Sequence, residues 1–67
     1  MATFKDIAEF FDVEVERETT LAIYVHIDGE YWWIPKSQID ATSEIFHEGD
    51  TGILVISEFI AKEKGLI

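Results

Sequence analysis

The chain has no cysteine and only one proline, Pro35, among its 67 residues. Lack of cysteine removes disulfides and thiolate metal ligands, and it suits a reducing compartment. Basic residues are also scarce: five Lys and Arg stand against fourteen Asp and Glu, a formal net charge of −9. Such a field repels nucleic acid and anionic lipid and attracts cationic surfaces. Apolar runs such as Ile53–Ile56 extend only a few residues, far short of the ~20 that cross a bilayer. Residues 1–11 carry acids and no secretory apolar segment, so a cytoplasmic protein with no membrane partner is expected.

What remains is apolar and aromatic. Hydrophobic residues make up 48% of the chain, including Trp32, Trp33, Tyr24, Tyr31 and five phenylalanines. A chain this short buries only ~60% of the surface its unfolded form exposes. Aromatic side chains bury ~150–250 Å² each, so a few can hold one small core. The expectation is a single acidic domain over residues 1–67. The charge is uneven: residues 1–18 hold six acids and two bases, residues 19–51 six acids and one base, and residues 52–67 two of each.

Along the chain, Thr3 followed by Asp6 resembles a capping box. Phe4, Ile7, Ala8 and Phe11 follow at helical spacing, predicting a short N-terminal helix that ends at Asp12. Val13 and Val15 then alternate with Glu14 and Glu16, the period of a half-buried strand. The β-forming run Thr20–Ile27 leads into Asp28-Gly29, a strong hairpin signal, and Glu30–Ile34 returns as its partner. A two-residue loop places Ile27 opposite Glu30, His26 opposite Tyr31, Val25 opposite Trp32, Tyr24 opposite Trp33 and Ile23 opposite Ile34. One face then carries Leu21, Ile23, Val25, Ile27, Trp32 and Ile34, a core face. The other carries Ala22, Tyr24, His26, Tyr31 and Trp33.

Lys36–Thr42 reads as a connection with an extended piece at Gln38 and Ile39, Glu44–His47 as a short strand, and residues 48–52 as a turn. Ile53–Ile56 reads as a central strand. Ser57 caps a last helix, Glu58–Lys64, with Phe59 and Ile60 on its inner side and Gly65 and Leu66 closing it. The predicted class is α+β: a curved antiparallel sheet of four to five strands, with a partly open small barrel as the variant, flanked by short N- and C-terminal helices.

Trp33-Ile34-Pro35-Lys36-Ser37 after the Asp28-Gly29-Glu30 turn, and Gly49-Asp50-Thr51-Gly52-Ile53-Leu54-Val55-Ile56-Ser57-Glu58-Phe59 before the last helix, form two blocks. They resemble small proteins carried by bacteriophages and prophages. The resemblance covers roughly residues 20–66 and implies a mobile-element setting inside a bacterial host cell.

Catalysis is not expected. Ser37, Ser43 and Ser57 lie in no strained Gly-x-Ser-x-Gly turn, and nucleophilic chemistry needs an oriented base. The pairs His26/Asp28 and His47/Asp50 match no closed zinc set or calcium loop, so neither a metal nor another cofactor is expected. Two binding readings remain. In the first, Glu14 and Glu16 stand ~6.7 Å apart on one face of a strand, and Glu18 extends the row if the strand continues. Asp12 joins them as a primary candidate, and Asp28, Glu30, Glu44, Glu48 and Asp50 are secondary candidates. Such a row points to a basic host protein or ribonucleoprotein surface, and in its most specific form to a DNA mimic in the manner of anti-CRISPR proteins. Its competitor is an edge strand merely protected by charge. In the second, Tyr24, His26, Tyr31 and Trp33 form a stacking platform for single strands or a replication protein in phage DNA metabolism. The acids argue against direct nucleic-acid binding, and burial beneath the N-terminal helix is the simpler expectation for this face. Oligomeric state is left open.

Overall fold

The computed structural model describes residues 2–67. Strand β1 runs Ile7–Glu18, β2 Ala22–Ile27, β3 Glu30–Pro35 and β4 Thr51–Ser57, and an α-helix, α1, spans Glu58–Glu63. The strands form one antiparallel sheet in the order β3-β2-β1-β4. The sheet is open, with β3 and β4 at opposite edges. The α+β class holds.

The hairpin follows its turn chemistry. Asp28 and Gly29 both take positive φ, 49° and 83°, as a two-residue turn of this kind requires. Every pair expected from that turn is present, from Ile27 opposite Glu30 to Ile23 opposite Ile34. Ile23, Val25, Ile27 and Ile34 consequently enter the core, with Trp32 packed against it. Leu21 does not: it precedes β2 and is 78% exposed. Thr19 Oγ1 there accepts the N–H groups of Leu21 and Ala22, tightening the turn between β1 and β2 and turning the Leu21 N–H away from β3, although its carbonyl still accepts from Lys36.

The N-terminal helix does not form. Residues from Ile7 onward belong to β1, pairing Ile7 with Ser57, Ala8 with Ile56 and Phe10 with Leu54. The helical spacing of Phe4, Ile7, Ala8 and Phe11 arises because a bulge interrupts a period-two pattern. Between Phe10 and Val13 the register shifts, and Asp12 sits at φ 56°. Once the extra residue is allowed for, Ala8, Phe10, Val13 and Val15 share the inner face. Thr3 therefore caps no helix. Long-range strand pairing overrides the local pattern, and the bulge hides the alternation that would reveal it.

Strand β4, expected to be central, is last in the ladder; it is nonetheless apolar on both faces. Its outer edge is covered by the connection after β3. Asp40 N–H donates to Val55 O at 2.8 Å and Glu44 N–H to Ile53 O at 2.9 Å, while Ser43 Oγ accepts from Val55 N–H and Glu44 Oε1 from Ile53 N–H. Lys36–Gln38 is a 3₁₀ turn, and Ile39 bridges to Ile56. Residues 44–47 form no strand of their own, because side-chain hydrogen bonds from Ser43, Glu44 and Asp50 supply what a ladder would.

Helix α1 begins as expected, with Ser57 Oγ accepting the Ile60 N–H. It ends with Leu66 N–H donating to Ala61 O and Gly65 N–H to Lys62 O, the paired 6→1 and 5→2 bonds of a Schellman closure around Gly65 at φ 78°. Ile60 and Ala61 are buried, whereas Phe59 is 67% exposed: one turn and a half of helix offers the core a narrow stripe. No helix among the described residues is long and apolar enough to cross a membrane.

Candidate functional site

With the N-terminal segment serving as a strand, no helix among the described residues covers the outer face of the β2–β3 hairpin. Alternation puts Tyr24, His26, Tyr31 and Trp33 on that face, and Tyr31 and Trp33 are 49% and 43% exposed. The rings form a continuous ladder. His26 stacks on Tyr31 at 4.7 Å between centroids, Tyr31 on Tyr24 at 5.3 Å, and Tyr24 meets Trp33 at 4.8 Å. Two of these contacts join directly opposed residues and one is diagonal, the reach expected of cross-strand aromatics. The expectation of a buried face is thus corrected.

The ladder continues across the sheet. Glu14 lies opposite His26, which lies opposite Tyr31, and Arg17 lies opposite Tyr24, which lies opposite Trp33. Two rows therefore cross from β1 to β3. One begins with an acid and the other with a base. Asp28 and Glu30 are exposed at the hairpin tip beside the His26–Tyr31 end.

The acids expected to form a row on β1 do not remain together. A second register shift lies between Val15 and Arg17, so Glu16 is an exposed bulge residue and Glu18 pairs opposite core-facing Ile23. Glu18 is taken up by the fold. Its Oε2 accepts from Lys36 Nζ at 2.5 Å and lies 3.0 Å from His47 Nδ1, and its Oε1 accepts the Glu48 N–H. The Lys36 ammonium, then His47 and the Glu48 N–H, lower its pKa to about 2.

Two further candidates are also structural. Asp50 accepts the N–H groups of Phe46 and His47, both at 2.9 Å, which hold its carboxyl below the usual carboxylate range. Glu44 holds the Ile53 N–H. Asp40, not singled out by sequence, is a buried acid of the same kind, accepting from Thr42 Oγ1, Thr42 N–H and Phe4 N–H. The Thr42 hydroxyl leads in lowering its pKa. Its signal was legible as Asp-x-Thr, an Asx turn at the end of a strand-like segment.

The remaining candidates, Asp12, Glu14, Glu16, Asp28, Glu30 and Glu48, are exposed, and no described residue offers any of them a salt bridge. Two of the five bases are already engaged, Lys36 with Glu18 and Lys62 with Glu58 at 2.8 Å. Around the aromatic ladder, the β1 bulges and the hairpin tip therefore carry an excess of unpaired carboxylates, with Arg17 the base among them.

Among the described residues, no group of three or more His, Asp and Glu side chains is placed to hold a metal ion. The clefts are shallow. Examples lie between Phe4–Asp6 and Ser57–Phe59 with Lys62, and among Glu18, Thr19, Thr20, Lys36 and Glu48. Comparison of the chain with protein-family models, with curated proteins and with solved structures finds no match.

Proposed function

We propose that the chain is a non-enzymatic binding module whose outer sheet face docks on a basic protein surface. The observation that carries this reading is the exposed His26–Tyr31–Tyr24–Trp33 ladder bordered by unpaired carboxylates. Tyr and Trp are the residues that anchor interfaces, because they present large area at small entropic cost. The faces of their rings also attract Arg and Lys. Glu14 and Asp28 add the charge that steers a cationic partner and fixes its register.

The partner class is that of nucleic-acid-handling proteins, whose grooves are cationic because they receive phosphate. The phage-like sequence blocks agree with a partner of this type in a bacterial host. This retains the acid-mediated contact expected from sequence but moves it from a strand row to the composite face. The DNA-mimic form of that idea loses Glu18, Glu44 and Asp50, which the fold uses internally.

The aromatic ladder also favours a second reading, base stacking on single strands. Its electrostatics oppose it, since platforms of that kind sit in positive grooves. Calorimetric titration at low salt with an arginine-rich protein and, separately, with a single-stranded oligonucleotide distinguishes the two. The expected outcome is binding to the protein that weakens with salt, with Trp33→Ala and with Glu14→Lys, and no heat from the oligonucleotide. Binding to the oligonucleotide alone would replace this reading with the second.

A further inference from the structure

The two edges of the sheet are treated differently. At β4, Ile53 and Val55 have their outward N–H and C=O groups bonded to residues 40–44. At β3 no strand follows in the ladder. The parity of the hairpin identifies the groups left there. Lys36 N–H donates to Leu21 O at 2.8 Å, so Leu21 and Lys36 occupy a hydrogen-bonding position of the ladder, of which this one bond is made. In an antiparallel ladder such positions alternate with non-bonded ones. Counting back, Ile34, Trp32 and Glu30 turn their backbone groups toward β2, while Tyr31 and Trp33 turn theirs to the open edge, together with the Pro35 carbonyl. Within the described residues, no turn, loop or cap hydrogen bond uses the backbone of Tyr31 or Trp33.

These are the two residues whose rings end the aromatic rows. Backbone vacancy and ring exposure therefore coincide at one short stretch, bounded by Glu30 at one end and Pro35 at the other. An unprotected edge is normally a liability that sequences blunt. Here only the ends are blunted, and the middle is aromatic.

We infer that β3 accepts an extended segment of a basic partner as an added strand, carrying Arg or Lys at alternate positions. This rests on the docking face proposed above and specifies how that face is used. A strand paired with β3 places its residues opposite Tyr31 and Trp33 on the outer face, with Cβ atoms ~4.5–5.5 Å from theirs. Cationic side chains at those two positions lie beside the rings. The one opposite Tyr31 falls in the row that Glu14 begins, next to Asp28 and Glu30 at the hairpin tip. The one opposite Trp33 falls in the row that Arg17 begins, where the indole ring is its main attraction. The residue between them falls on the opposite face, beside Trp32, and is apolar. The recognised pattern is basic–apolar–basic. A second copy of this chain is a poor occupant, because pairing β3 with itself brings together two chains of net charge −9, with Glu30 repeated at the seam.

The test uses the intact chain and two capped peptides of equal charge, alternating Arg and Val. One is unmodified. The other is N-methylated at the residues that would donate to β3, which blocks strand pairing but keeps every charge. The expected result is that N-methylation weakens binding by about tenfold or more, from two lost backbone bonds, and that only the unmodified peptide slows amide exchange at Tyr31 and Trp33. Equal affinity of the two peptides, with both weakened by Trp33→Ala, overturns strand addition and leaves the docking face standing. If neither peptide binds, both readings fail. Protection of Tyr31 and Trp33 that grows with protein concentration alone, with a doubled mass in solution, assigns the edge to a second copy and also overturns the inference.

Discussion

Lys36 Nζ lies 2.5 Å from Glu18 Oε2, tying the residue after β3 to the last residue of β1. His47 Nδ1 approaches the same oxygen and the Glu48 N–H its neighbour, so one carboxylate joins three segments. With a folded-state pKa of about 2 against an ordinary 4.5, Glu18 contributes stability that is complete above its unfolded pKa. That contribution is lost as pH falls from about 4.5 toward about 2. Thermal unfolding of the wild type should therefore lose more stability across that window than Glu18→Gln does. The comparison cancels the parallel losses from Asp40 and Asp50, whose pKa values are also lowered. Parallel pH profiles for the two proteins would contradict this role.

Gly52 is pinned by the covering of β4. A Cβ there would lie 2.6 Å from Glu44 Oε1, and the backbone sits at φ 144°. That same oxygen holds the Ile53 N–H at 2.9 Å. Gly52→Ala should destabilise by ~1–3 kcal/mol, from strain at an unfavourable φ and loss of that bond. In a Glu44→Ala background the same change should cost less, and a double-mutant cycle in urea measures the difference.

Ser57 serves two partners, accepting the Ile60 N–H at 3.2 Å and donating to Gln38 Oε1 at 2.5 Å. Ser57→Ala removes the cap and leaves the Gln38 oxygen unpaired. A loss of ~1–2 kcal/mol is expected by chemical denaturation, with Ser57→Asp retaining more of the helix than Ala does.

Ile34 and Leu21 separate core from surface within one expected face. Ile34 is fully buried, and Ile34→Ala should cost ~2–5 kcal/mol through the cavity it leaves. Leu21→Ala should stay within ~0.5 kcal/mol. A large effect at Leu21 would mean that the turn it occupies packs more tightly than its exposure indicates.

Features governed by local chemistry were legible in the sequence. Asp28-Gly29 demands two positive φ values, and the whole β2–β3 register follows from that turn. Ser57, Gly65 and Leu66 mark both ends of α1 through backbone groups that must find partners. The features that escaped depend on distant partners or on parity. Asp12 and Glu16 each insert a residue into β1. The first insertion makes a strand read as a helix, and the second separates Glu18 from Glu14. Once the N-terminal segment became a strand, the lid expected over Tyr24, His26, Tyr31 and Trp33 vanished. The acids of the 40–50 connection looked like surface charge, but Asp40, Glu44 and Asp50 are the scaffold of a segment without regular structure.

The docking face is tested most directly by tryptophan emission. Trp32 packs against the core and Trp33 is exposed on the ladder, so Trp32→Phe leaves a single reporter at the proposed site. Titrating that variant with an arginine-rich peptide should give a saturable change in emission that fades as salt rises and weakens with Glu14→Lys. An emission unmoved by the peptide at low salt, or moved instead by a single-stranded oligonucleotide, would contradict the account.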